Sequence, residues 1–259
     1  MAASHRTPGV FYVVSDEPGT SSVAAVREDG TLVARIEVTR MAARNAEALA
    51  VGPCGAGGPT SCLYVGDIGD HVGRDDVVVY RLAEPDLGSP PQAPVPALAL
   101  RFTYPDSPTD AEALLVDPAG RLLIISKASF DDEAGVTRPT RLYRGGTDGG
   151  ALEHLGEIAI PEPEDGFFAG LVGNGVTDAS AVDGRVLLRT YDEVLEYRAA
   201  EGGADLAGFP NWPSRRVPAP DQIQSETVAY RADACGYVTT SEVTGAIDAV
   251  TCVAAAPDP

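Results

Sequence analysis

Helical periodicity is almost absent from this chain of 259 residues, and no apolar run reaches the roughly 18 residues that a membrane-crossing helix needs. Basic residues are scarce. Lys and Arg number 19 against 38 Asp and Glu, a net charge of −19 that would repel both a nucleic-acid backbone and an anionic membrane surface, while keeping a protein soluble. There is no G-x-S-x-G nucleophile elbow, H-E-x-x-H helix or Walker loop, and glycine-rich stretches do not follow a parallel βαβ pattern. C-x-x-C pairs are missing too, and with only 3 histidines the 4 cysteines do not suit a zinc knuckle. They fall in two close pairs, Cys54 with Cys62 and Cys235 with Cys252, each flanking a turn-rich stretch between strand-like segments. Two local disulfides are expected, and with them an oxidising compartment and no free thiol nucleophile. No leader precedes the first strand signal, so a secreted chain of this kind is expected to come from a longer precursor.

What the chain does have is a phrase said four times. Asn45-Ala46-Glu47-Ala48-Leu49-Ala50-Val51 returns as Asp110-Ala111-Glu112-Ala113-Leu114-Leu115-Val116, as Val176-Thr177-Asp178-Ala179-Ser180-Ala181-Val182, and as Gln224-Ser225-Glu226-Thr227-Val228-Ala229-Tyr230. Each copy sets one carboxylate before a short strand of small residues, and recurrence of strand units is the mark of a propeller or solenoid. Between copies, runs rich in β-branched residues alternate with Gly, Pro and Asp clusters. Grouped by the repeat they give an all-β fold, a five-bladed β-propeller with blades at about 1–44, 45–108, 109–165, 174–220 and 224–254. Residues 1–4 supply the inner strand of the first blade. A sixth blade follows only from a longer natural N-terminus, and a β-sandwich, the second choice, explains the repeats less well. Radial closure also hides the sheet edges that would otherwise invite association, so a monomer is expected.

If the repeats are innermost strands, Glu47, Glu112, Asp178 and Glu226 crowd one axis. Second strands ending at Asp16, Asp67, Lys127, Thr190 and Glu242 would lie beside them. So many carboxylates, with Lys127 and Arg189 as the local bases, either take up protons or hold a cation. Ligands that are all oxygen select hard cations, calcium first and magnesium second. Two other readings stand beside this one: the acids cap backbone amides between blades, or they do acid–base chemistry without a metal. The loop Gly66-Asp67-Ile68-Gly69-Asp70-His71-Val72-Gly73-Arg74-Asp75-Asp76 is acidic but lacks EF-hand spacing. It offers Asp67, Asp70 and His71 as general acid or base, or is simply a charged hairpin loop. Lys127 and Arg189 either pair with Glu112 and Asp178 or bind an anionic group of a ligand, with Tyr191 extending that surface. The partner expected is a small polar molecule or a carbohydrate, for which Trp212 is a stacking candidate if it is not a loop anchor.

The phrase Tyr64-Val65-Gly66-Asp67-Ile68-Gly69-Asp70, followed by Val79-Tyr80-Arg81-Leu82-Ala83-Glu84-Pro85, resembles a family of secreted bacterial propeller proteins of actinobacterial type. The Ala-Glu-Ala-Leu repeats, Leu188-Arg189-Thr190-Tyr191 and Ser225-Glu226 fit the same pattern, although this chain has His71 where that family carries Asn. The resemblance implies a secreted propeller and no particular activity. In architecture the chain is also similar to calcium-centred propeller hydrolases of the apyrase, lactonase and phytase-like groups, which implies a metal-dependent hydrolase of a small ester, lactone or phosphate. Against it stands a non-enzymatic module that binds a ligand or protein and uses the acids structurally.

Overall fold

The computed structural model describes residues 1–56, 60–70, 73–88, 93–131, 136–163 and 174–252. Its strands form five radial sheets and one separate two-stranded sheet, Ser129–Asp131 with Val136–Arg138. The first runs outward from Ala2–Ala3 through Val10–Val13 and Ser22–Arg27 to Leu32–Thr39. The second runs from Ala46–Pro53 through Ser61–Asp67 and Asp76–Ala83 to Leu98–Thr103. The third comprises Ala111–Val116, Leu122–Ser126, Arg141–Gly145 and Glu153–Glu157. The fourth comprises Val176–Val182, Arg185–Thr190, Val194–Arg198 and Ser214–Val217, and the fifth Ser225–Tyr230, Tyr237–Ser241 and Ile247–Val250. The chain is a five-bladed β-propeller, as the repeat predicts.

Alternation along the strands explains how the blades cohere. In Leu122–Ser126 every residue is buried, but Leu122 and Ile124 pack towards the second blade while Leu123 and Ile125 pack towards the fourth. A strand buried on both faces reads as a continuous apolar run, which is why its faces cannot be told apart in the sequence. Among the described residues each of the five blade junctions holds one apolar cluster. The last of them sets Met1 and Phe11 of the first blade against Ala229 and Val238 of the fifth, and so closes the ring. Outer edges are covered locally: Val95–Pro96 pairs in parallel with the first blade and Gly150–Ala151 with the second, which removes two exposed ladders. The 3₁₀ turn Leu206–Asn211 is the one helical element among the described residues. Its Phe209 stacks edge-on against Tyr197 with centroids 5.3 Å apart, and neighbouring Trp212 packs on the same cluster as an anchor.

The innermost strands come very close together. A Cβ on Gly52 would stand 2.8 Å from Cβ of Val116 on the next blade, so no larger residue fits there without backbone movement. This crowding is the physical reason for Gly52 and for small residues in the repeat.

Both expected disulfides form, Cys54 with Cys62 and Cys235 with Cys252, and no described cysteine is free. They fit an oxidising compartment. No helix among the described residues is long and apolar enough to cross a membrane. Because the loops span 8 and 17 residues, chain-entropy arguments give each bridge only about 2–3 kcal/mol. Replacing Cys54 and Cys62 together by Ser should therefore lower stability by about that amount in urea denaturation while leaving far-ultraviolet circular dichroism unchanged. Collapse of the β signal would show the bridge to be essential instead.

Candidate functional site: the central mouth

Four innermost strands carry a β-bulge at the same place. The pairing skips one residue between Ala46 and Ala48, Ala111 and Ala113, Val176 and Asp178, and Ser225 and Thr227. The skipped residues are Glu47, Glu112, Thr177 and Glu226. A bulge leaves its extra residue unpaired and re-aims its side chain, and all four line one cavity at the end of the central channel. The residue just past each second strand forms a further ring. Asp67, Ser126, Thr190 and Ser241 are the last paired residues, so Ile68, Lys127, Tyr191 and Glu242 are equivalent. Lys127, Tyr191 and Glu242 line the mouth, whereas Ile68 is fully buried in the neighbouring core. The first blade contributes Asp16. The cavity measures about 320 Å³, the lower end of the range for small-molecule pockets.

This register moves several expected site residues. The sequence repeat aligns Asp178 with the glutamates, but its structural counterpart is Thr177. One residue on, a strand side chain points the other way. Asp178 is therefore fully buried, where it accepts from the Met1 ammonium at 3.0 Å, Val228 N at 3.0 Å and Ala179 N at 2.8 Å. Thr177 takes the mouth position and donates to the Ser225 carbonyl at 3.1 Å. Arg189 lies opposite Asp178 in the ladder and is only 1% exposed. It does not line the mouth; its Nη2 donates to the Tyr191 carbonyl at 3.4 Å, while Nε and Nη1 have no partner among the described residues. Burial lowers its pKa to about 10.

The loop after the second blade's second strand also departs from expectation. Asp67 is buried away from the cavity, held by Arg74 Nη1 at 2.8 Å and by Asn45 N at 2.9 Å. Arg74 reaches back seven residues to make this pair, a contact that no strand periodicity announces. Asp70 lies to the side, where it lines two peripheral cavities and accepts from Arg74 N at 2.9 Å. His71 lies outside the described residues.

The mouth thus gathers Asp16, Glu47, Glu112, Glu226 and Glu242 around one basic side chain, Lys127, the only lysine in the chain. Lys127 Nζ donates to Glu112 Oε1 at 2.5 Å and to Tyr191 Oη at 2.7 Å, with the Tyr191 ring centroid 4.8 Å away. Burial opposes its charge, but Glu112 and these hydrogen bonds outweigh that and raise its pKa. The glutamates shift towards the neutral form. Burial pushes Glu112 well up despite Lys127, with Glu47 and Glu226 adding to the rise. Glu47 rises by burial and then by the charges of Asp110 and Asp16, against one donor, Asn45 Nδ2 at 2.5 Å. Burial, then Glu242 and Glu47, raises Glu226 to about 8, with Lys127 and Gln224 pulling the other way. Gln224 sits at φ 51°, a region uncommon outside glycine, and its amide also donates to Glu242.

The same chain shows what a purely structural carboxylate looks like. Buried Glu84 accepts from Ser4 Oγ at 2.7 Å, His5 N at 2.9 Å, Arg6 N at 3.1 Å and Ser61 Oγ, which ties the second blade to the first. Asp117 accepts from Ala119 N, Arg121 N and Arg121 Nε. Such donor sets satisfy an ionised carboxylate. The mouth glutamates have far fewer donors.

A carboxyl whose folded pKa lies above its unfolded value favours the fold while protonated. For Glu226 that contribution is full below its ordinary 4.5 and gone above about 8. Wild-type stability should therefore fall as pH rises through this window. Glu226→Gln should flatten the profile and gain about 1–2 kcal/mol at pH 8, or ~3–6 °C in Tm. Thermal scans across that range decide the matter; parallel profiles for the two proteins would show that Glu226 ionises normally.

Neither a protein-family model nor a curated protein sequence matches the chain. Among solved structures it is similar to hydrazine synthase of Kuenenia stuttgartiensis, at 10% identity and a TM-score of 0.47 over 94% of this chain and 68% of that one. It is also similar to virginiamycin B lyase of Staphylococcus aureus, at 9% identity and a TM-score of 0.42 over 96% and 69%. The Cps50 (Swd1) β-propeller domain of Myceliophteria thermophila matches at 11% identity and a TM-score of 0.40 over 96% and 98%. Similarity at this level says nothing about what the chain binds.

Proposed function

We propose that this propeller binds a divalent cation in its central mouth, calcium before magnesium, and uses it on a small polar substrate. The observation that supports this is the shift of Glu47, Glu112 and Glu226 towards protonation within one cavity. A hard cation would replace those protons, and the donors available to it are all oxygen. Among the described residues no group of three or more Asp, Glu, His or Cys is already placed to hold a metal. The reading therefore has the carboxylates meet a cation that keeps several of its waters, as calcium and magnesium commonly do. When bound, such a cation would polarise an ester, lactone or phosphate and make a bound water more acidic. Glu226, poised to exchange a proton near neutrality, is then the candidate general base, and Lys127 with Tyr191 the candidate anchor for an anionic part of the substrate. The disulfides and the family resemblance together support a secreted protein, and radial closure of the sheets supports a monomer.

A second reading is favoured by the pairing of Lys127 with Glu112, which satisfies both groups without any ligand. In that case the propeller is a non-enzymatic module for a small polar molecule or carbohydrate, and the acids serve the fold.

Calcium separates the two. Binding to the native state alone stabilises by about 2.7 kcal/mol at a hundredfold excess over Kd. Millimolar calcium should raise the Tm of the wild type and a chelator should reverse the gain, while Glu112→Gln and Glu226→Gln should lose most of the response. Titration calorimetry in two buffers of different ionisation enthalpy should also show protons released on binding at pH 7. Absence of any calcium shift in all three proteins, with Glu112→Gln still destabilised, would leave the structural reading.

A further inference from the structure

We infer that the protein carries a second site beside the mouth, an oxyanion site at the junction of the second and third blades. A separate cavity of about 240 Å³ opens there, with Lys127, Arg138, Arg141, Ser126 and Thr109 in its wall. In a chain with twice as many acids as bases, two arginines and the lysine around one small cavity are a departure from the surface at large, with Lys127 paired to Glu112 and Arg141 to Asp106. Two carboxylates share the wall, but each is engaged by backbone: Asp110 Oδ1 accepts from Asp70 N at 2.7 Å, and Asp70 Oδ2 from Arg74 N at 2.9 Å.

Buried polar atoms without a partner concentrate at this junction. Arg141 Nε, Thr140 Oγ1 and the Tyr104 hydroxyl make no hydrogen bond among the described residues, and Thr140 is only 2% exposed. Thr140 and Arg141 follow Pro139, which with Arg141 forms part of the wall. Tyr104 meets Tyr143 edge-on at 4.9 Å. Each of the three can donate, and buried donors left unmade are costly. Of the three, Arg141 lines the cavity, and an acceptor-only ligand is its natural complement there. Arg141 is held in place by Asp106 through Nη1 at 2.9 Å and by its backbone N–H to Ser126 Oγ at 2.8 Å. Two guanidinium groups on one wall suit a phosphate or carboxylate group, which guanidinium recognises through paired N–H donors.

Lys127 lines both this cavity and the mouth. The oxyanion site stands whether or not a cation occupies the mouth. If it does, one ligand bearing a phosphate or carboxylate could span the two.

The sole lysine supplies a direct test. In protein labelled with ¹³C-lysine, Lys127 gives one side-chain signal. Inorganic phosphate, titrated at constant ionic strength, should move that signal saturably. Arg138→Gln and Arg141→Gln should each weaken the response by roughly tenfold, while leaving the shift caused by calcium at the mouth in place. An acetate arm distinguishes a carboxylate ligand from a phosphate, because the better ligand saturates first. A signal unmoved by either anion, or a response equal in wild type and both folded variants, would overturn the site. Failure of the calcium shift alone would count against the mouth and not against this cavity.

Discussion

Five inner strands share one axis, and the second and third blades approach each other closely there. At Gly52 even a Cβ would strike Val116 of the next blade. Small residues recur on either side of the bulge, where Ala46 matches Ala111 and Ala48 matches Ala113. The strands cannot spread to admit anything larger without parting the apolar clusters at every junction. A bulge is the remaining way to present a long polar side chain, since it turns one residue out of the ladder towards the open end. The mouth and its chemistry follow from how tightly the ring is closed.

That geometry creates an electrostatic problem that the chain solves elsewhere but not here. Glu84 and Asp117 lie just as deep, yet backbone, hydroxyl and guanidinium donors converge on them. Bulged residues at a strand head face a cavity, so no neighbouring backbone is available to serve them. Glu47 has one amide, Glu112 one ammonium and Glu226 one amide, and burial and mutual repulsion then dominate. Carboxylates that only stabilised the blades would be expected to resemble Glu84. The difference supports a role for the mouth in taking up something positive, whether protons or a cation.

Much of this was legible in the residues. The repeat revealed the propeller because packing at the axis allows little variation, and three of the four repeated acids reach the mouth. The fourth did not, because Asp178 matches the others in chemistry while Thr177 matches them in register. A repeat aligned by its acids cannot see a bulge, which is a property of pairing and depends on where the partner strand stops. The same slip of one residue separates Asp67, buried against Arg74, from Lys127 and Glu242 at the rim. The sequence pattern puts Arg189 among the mouth cations, but it occupies the ladder position that Gly66, Ile125 and Thr240 fill in other blades. Nothing local to a strand distinguishes a charged residue that faces a channel from one buried between sheets. The peripheral cavity was invisible for a different reason: its wall draws on segments from 70 to 141, and only the fold brings them together.

Lys127 ties these features together. It is the one basic side chain among five mouth carboxylates, it is bonded to Glu112, and it also forms part of the wall of the peripheral cavity. A cation drawn to Glu112 would compete with Lys127 for that carboxylate. An oxyanion drawn to Lys127 would compete with Glu112 for that ammonium. Each would loosen the same ion pair from its own side, and the partner left behind would then be freer for the other ligand. By thermodynamic linkage the effect must be mutual and equal in both directions. An arginine at this position would keep the charge, but its planar fork would favour a paired grip on Glu112 alone. A lysine carries its charge at a single point on a flexible stem, and the fold places this one in the wall of both cavities.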